Sequence, residues 1–224
     1  MIPWVLLDTA EVPGDGADLR LLQRGAEFSI RSGVNELMNS RVHGSEEALA
    51  KIAIANIGEP TRPRILIGGL GMGFTLRAAL RLVGPDAWIV VAELVPEVVA
   101  WNRSWLASVA GHGLADARVS IREDDVASLT GSARSAYDAI LLDVDNGPEG
   151  LTRKANDRLY DLSGLGAAYA ALRPRGVLAT WSAGPNENFT RRLRKTGFEV
   201  NEVRVRARGA RGGARQIIWI ATRS

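Results

Sequence analysis

From Arg64 onward the chain alternates short apolar runs with stretches of helical length, and few architectures accommodate that order. Runs such as Arg64–Ile67 and Ala87–Ala92 are apolar at consecutive positions rather than at every second one, so both faces of these strands must be covered. The pattern predicts strands at Arg64–Ile67, Ala87–Ala92, Ala117–Arg122, Asp138–Leu142 and Gly176–Ser182. Helices are expected at Thr75–Val83, Pro96–Val109, Leu159–Leu172 and Asn186–Thr196. Phe198–Arg206 and Gln216–Thr222 flank a glycine- and arginine-rich turn and read as an antiparallel hairpin. The expected fold is therefore α/β, a Rossmann-like, doubly wound, mostly parallel seven-stranded sheet with a C-terminal antiparallel hairpin and a short N-terminal β extension. In that extension Glu27–Arg31 reads as a strand, and Ser45 as the cap of a helix reaching Ile57. Residues 1–60 are expected to pack as a β/helix extension on a main domain at 61–224.

Several functions are disfavoured by what the chain lacks. It has no cysteine, hence no disulfide, thiolate metal site or cysteine nucleophile. Its two histidines, His43 and His112, do not make a multi-histidine centre, so no metal is expected. No apolar run approaches the roughly 18–20 residues needed to cross a bilayer, and Met1–Trp4 does not open like a signal peptide. A cytoplasmic protein is expected. The net charge is only +3, but Arg191, Arg192, Arg194, Lys195, Arg204, Arg206, Arg208, Arg211 and Arg215 crowd one segment. That segment lacks interleaved aromatics except Trp219, which is expected to face the core, so base stacking has little to use.

The chemistry is concentrated where strands end. After the first strand comes Gly68-Gly69-Leu70-Gly71-Met72-Gly73-Phe74, whose Gly69, Gly71 and Gly73 let backbone amides approach a ligand. A dinucleotide fingerprint wants a small residue where Phe74 stands, and the P-loop lysine is missing. The second strand ends at Glu93, placed to accept the hydroxyls of a ribose. The third ends at Asp125, placed to accept an adenine amino group while the amide of Val126 donates to the ring. Three loops meeting at the carboxyl edge of a parallel sheet make one crevice for an adenosine. The fourth strand ends at Asp143, with Asp145 two residues on, where carboxylates can hold an ammonium group or deprotonate an attacking amine.

These residues resemble the spermidine synthase (polyamine aminopropyltransferase) family, whose fold is that of the class I S-adenosylmethionine-dependent methyltransferases. Arg64–Leu76 is similar to the family's glycine turn, Val91–Leu94 to its ribose-binding strand end, and Asp125 through Tyr137-Asp138 to Asp143 to its adenine and catalytic segment. The resemblance implies a transferase that takes S-adenosylmethionine or its decarboxylated form as co-substrate and passes a methyl or aminopropyl group to a small amine. It implies Asp143 as proton acceptor, Asp145 as a group positioning the acceptor, and a homodimer. Departures are visible too. Leu70 and Met72 stand where the family's turn carries an aspartate, and Asp143-Val144-Asp145-Asn146 replaces its Asp-Ser-Ser-Asp loop. The N-terminal β region reads as about one hairpin. Alternatives are a nucleoside-binding partner or sensor without transfer activity, and a nucleic-acid methyltransferase using the basic hairpin. Trp101 and Trp105 read as packing residues, and Trp181 lies near enough to the crevice to contact an acceptor.

Overall fold

The computed structural model describes residues 2–14, 18–144, 147–148, 157–209 and 212–224. Its larger sheet contains β5 (Arg64–Gly68), β6 (Trp88–Ala92), β7 (Val119–Arg122), β8 (Tyr137–Leu142), β9 (Leu172–Ser182), β10 (Phe198–Arg206) and β11 (Arg215–Arg223). The strand order is β10-β11-β9-β8-β5-β6-β7. Pairing from β7 through β9 is parallel, while β11 runs antiparallel to both β9 and β10. The order reverses beside β5, between β6 and β8, which is where an open α/β sheet splays its loops apart.

Both faces of this sheet are buried, and alternate residues of each strand serve opposite faces. Ile65, Ile67, Ile89, Val91, Ala139, Leu141, Val177 and Ala179 join one core cluster. Leu66, Val90, Ile140, Leu142 and Leu178 join the other. That two-sided burial explains why the strands read as continuous apolar runs. The second face is covered by α4 (Val126–Ser132), α5 (Asp157–Tyr160), α6 (Leu162–Ala171) and α7 (Glu187–Thr196). The first is covered by α1 (Gly44–Asn56), α2 (Phe74–Leu82) and α3 (Pro96–Arg103).

Three local expectations are corrected. The N-terminal region is a four-stranded antiparallel sheet of β1 (Val5–Glu11), β2 (Asp18–Arg24), β3 (Glu27–Ser32) and β4 (Asn35–Asn39), not a single hairpin. Register shifts between Leu6 and Asp8 and between Ile30 and Arg31 break the period-two pattern that marks a strand in sequence. Ser45 does not cap α1. The cap position is His43, and the Ser45 hydroxyl donates to its neighbour Glu46 at 2.6 Å. The helix after Glu93 stops at Arg103 rather than running to Val109, and α4 was not expected at all. Ala10, Leu21, Phe28 and Ile30 of the smaller sheet, with Val12 just after β1, share a core cluster with α1–α3, so that sheet roofs the first face.

The turn after β5 is closely packed against the tip of β8. Gly69 has φ +88°, and a Cβ there would lie 2.6 Å from the carbonyl oxygen of Asp143. Backbone bonds from Asp143 N to Gly68 O (3.0 Å) and from Gly69 N to Ala92 O (2.9 Å) hold the three strand tips together. Gly69→Ala should cost roughly 2–5 kcal/mol in denaturant unfolding, from backbone strain plus overpacking. Gly84→Ala, with open space around it and no positive φ, should change stability by less than about 0.5 kcal/mol.

Candidate active site

A cavity of about 430 Å³ lies over the carboxyl ends of β5, β6, β7 and β8, beneath the N-terminal sheet. Its roof is mainly apolar, from Val12, Leu19, Ile30, Leu37 and Met38, with Ser32 and Asn39 beside them. Its floor carries Gly69, Gly71, Glu93, Asp124, Asp125, Val126 and Asp143, and α1 adds Glu46. Five of the lining residues are acids, and among the described residues no lysine or arginine lines it.

Glu93 follows β6 and is buried. Its carboxylate accepts the amide of Leu70 in the glycine turn (2.8 Å) and that of Val95 (3.0 Å). Burial pushes its pKa up, and the backbone amides oppose this. Asp125 caps α4 by accepting from Ala127 N (2.8 Å), and it forms an ion pair with Arg158. Val126 opens α4, and its side chain packs against Gly68 so closely that a Cβ on the glycine would lie 2.9 Å from it.

Asp143 accepts the Thr75 hydroxyl at 2.6 Å, and burial raises its pKa. Its carboxylate acts electrostatically on Glu46, whose pKa is raised to about 7 by burial first and by Asp143 second. Two carboxyl groups thus share one cavity wall, each raising the cost of ionising the other, with the pKa of Glu46 brought near neutrality.

Gly69 and Gly71 line the cavity, and Met38 from the roof sits so close to Gly71 that a Cβ there would meet its sulfur at 2.8 Å. Gly73 does not line it. With φ +75° it starts α2 and packs against Ala110 and Asn102. Asp145 lies outside the described residues. Glu46 is the residue that sequence reasoning missed, because an acid in a first helical turn reads as an ordinary dipole partner. Leu70 and Met72, standing where the resembled family has an aspartate, are core residues. His43 stacks on Phe74 with centroids 4.6 Å apart and lies 3.1 Å from Glu47, away from the cavity lining. Trp101 is fully buried and donates to Asp8, Trp105 is exposed, and Trp219 is buried and donates to Thr190. Arg204, Arg206, Arg208 and Arg215 are exposed. Among the described residues no cluster suited to a metal ion is found, and no helix is long and apolar enough to cross a membrane.

The fold and cavity define a class, a methyltransferase-like α/β domain with an acid-lined cavity at the carboxyl ends of its parallel strands. No family model matches the chain. It is 30% identical over 139 residues to a polyamine aminopropyltransferase from Nitrosomonas europaea, covering 62% of this chain and 40% of that protein. A polyamine aminopropyltransferase from Prochlorococcus marinus is 28% identical over 144 residues, covering 64% of this chain and 48% of the relative. The match thus spans less than half the length of either curated relative. The spermidine synthase structure from Thermotoga maritima superimposes with a TM-score of 0.77 at 17% identity, covering 98% of this chain and 73% of the other. In sequence and in fold the chain is spermidine synthase-like, a relative of the polyamine aminopropyltransferases.

The Glu46–Asp143 pair has a measurable consequence. Native Glu46 keeps its proton to about pH 7, whereas an unperturbed glutamate loses it near 4.5, so the native state binds more protons between these values. Stability contributed by the protonated pair is full below the unfolded pKa and is lost as pH rises through about 7. Thermal unfolding of the ligand-free protein should therefore show Tm falling from about pH 5 to about pH 8, and Glu46→Gln should flatten the fall. A Tm that rises over this range would contradict the arrangement.

Proposed function

We propose that the protein is an aminopropyltransferase that takes decarboxylated S-adenosylmethionine as co-substrate and transfers its aminopropyl group to a small amine. The observation that carries this reading is the sign of the cavity: Glu46, Glu93, Asp124, Asp125 and Asp143 line it, and no cationic side chain does among the described residues. Such a wall favours a sulfonium donor and an ammonium-bearing acceptor. It offers no basic side chain to a donor carboxylate, which favours the decarboxylated form over S-adenosylmethionine itself. The curated relatives are named for the same activity.

In this reading Gly69 and Gly71 admit the nucleoside against the backbone, and Glu93 and Asp125 with the Val126 amide bracket its ribose and base. The donor supplies a carbon already activated by its sulfonium. Asp143, held by Thr75, and Glu46 take a proton from the acceptor ammonium and free the nitrogen lone pair. As the nitrogen–carbon bond forms, the carbon–sulfur bond breaks and its electron pair stays on sulfur, so methylthioadenosine leaves as a neutral thioether. The new secondary amine leaves as its ammonium, and the carboxyl pair returns its proton to water. Asp145, outside the described residues, belongs to the same proposal as a group that positions the cationic acceptor.

Calorimetric titration with decarboxylated S-adenosylmethionine, S-adenosylmethionine and methylthioadenosine tests the reading. The decarboxylated donor should bind tightest, and adding an amine should release methylthioadenosine. Asp143→Asn should slow that release by about 10²–10⁴-fold, with a much smaller change in donor affinity. Tighter binding of S-adenosylmethionine would redirect the proposal to methyl transfer, and failure to bind any of the three would end it. The wild-type kcat/KM, which reports the free protein, should rise with pH through about 7 as Glu46 ionises.

A further inference from the structure

The end of the C-terminal hairpin just past β10, residues 207–209, does not line the cavity, yet it touches the helix that carries Glu46. That helix, α1, starts without a side-chain cap, because Ser45 turns its hydroxyl to Glu46. The first amides of a helix have no partner within it, and that of Gly44 donates to the carbonyl oxygen of Ala207 at 2.9 Å. The hairpin thus caps α1 with its own backbone. The two segments meet with no room for a side chain. A Cβ on Gly44 would lie 2.5 Å from the nitrogen of Gly209, 2.9 Å from the carbonyl carbon of Arg208 and 3.0 Å from the carbonyl oxygen of Ala207. Gly44 has no positive φ, so space rather than conformation requires glycine there.

The hairpin side of this contact is braced. Ala207 N bonds to Ala214 O (3.0 Å), Arg208 N to Gly212 O (2.9 Å) and Gly212 N to Gly209 O (3.1 Å), and Ala207 is buried. The first turn of α1, with no side-chain cap, is the looser partner, so a group wedged between them moves the helix start. Two residues on, the carbonyl oxygen of Glu46 lies 3.4 Å from the Thr75 hydroxyl, the same hydroxyl that donates to Asp143. The start of α1 is therefore confined between the hairpin and the Thr75–Asp143 contact. The charged groups that act on Glu46 are Asp143, at the end of β8, and Glu47, on α1 itself. Neither belongs to the hairpin, which acts on Glu46 through position.

We propose that Gly44 is a positioning residue for the site: its close contact with the hairpin fixes the start of α1 and so holds Glu46 against Asp143. The catalytic meaning of that contact rests on the transfer reading, in which Glu46 and Asp143 take the proton of the acceptor. Gly44 touches no reacting group and acts only through Glu46.

The test follows the carboxyl carbon of Glu46 by NMR during a pH titration of the ligand-free protein, the signal being identified by its loss in Glu46→Gln. The pH profile of kcat/KM for methylthioadenosine release is measured beside it. The wild-type carboxyl should titrate at about 7. Gly44→Ala should bring that titration well below 7, as Glu46 leaves the buried wall and its neighbour Asp143, and the rise in kcat/KM should move down with it. Methylthioadenosine affinity should stay unchanged. Gly58→Ala, just past the other end of α1, is strained by a φ of +70° with open space around it, and should lower Tm without moving either titration. Should Gly44→Ala fold poorly, Gly209→Ala, strained by a φ of +56° on the hairpin side, should shift Glu46 in the same direction by less. A Glu46 titration unchanged or raised in both variants, or shifted equally by Gly58→Ala, overturns the proposal. Absence of methylthioadenosine release would instead overturn the transfer reading, and the Glu46 titration on the ligand-free protein would still decide this one.

Discussion

The carbonyl oxygen of Asp143 occupies the space into which any side chain at position 69 would project. The tips of β5 and β8 can meet this closely only because residue 69 is glycine in the left-handed region. The approach lets Asp143 bond back to Gly68, and it holds the Asp143 carboxylate within reach of the Thr75 hydroxyl at the start of α2. On the other side of the turn, the Leu70 amide is held by Glu93 from the tip of β6. One glycine turn thus ties three strand ends together, and the candidate site inherits its geometry from that knot.

Electrostatics follows from what lies above the knot. An open strand edge would leave these carboxylates in water at ordinary pKa values. The N-terminal region instead roofs them with Val12, Leu19, Ile30, Leu37 and Met38, and among the described residues no arginine or lysine lines the cavity, Arg158 pairing with Asp125 from outside the lining. Burial accordingly raises the pKa values of Glu93, Asp143 and Glu46. Under the proposed function, a cationic ligand entering this cavity would favour the ionised forms of these carboxyl groups. The same roof supplies the sulfur of Met38 packed over Gly71, so the smaller sheet shapes the site as well as covering it.

Much of the larger sheet is legible in the sequence because its determinants are local. Two-sided burial writes itself into consecutive apolar residues, and the helix expected at Asn186–Thr196 starts only one residue later, with Asn186 as its cap. The smaller sheet was harder to read. Its strands carry register shifts, and partly exposed positions such as Val5, Leu6 and Leu37 blur the alternation. Ser45 shows a similar failure, since a residue type that usually caps a helix bonds to Glu46 one position inside it.

The sequence by itself determined that strands would end in glycines and carboxylates along one edge of a parallel sheet, because strand polarity forces consecutive βα loops to the same side. It also determined which turn had to be glycine. Only the tertiary structure decided that Glu46, on a helix nearly a hundred residues before Asp143, shares a cavity with it. The physical reason is that local periodicity governs which elements form, whereas long-range packing governs which charges are brought into one cavity.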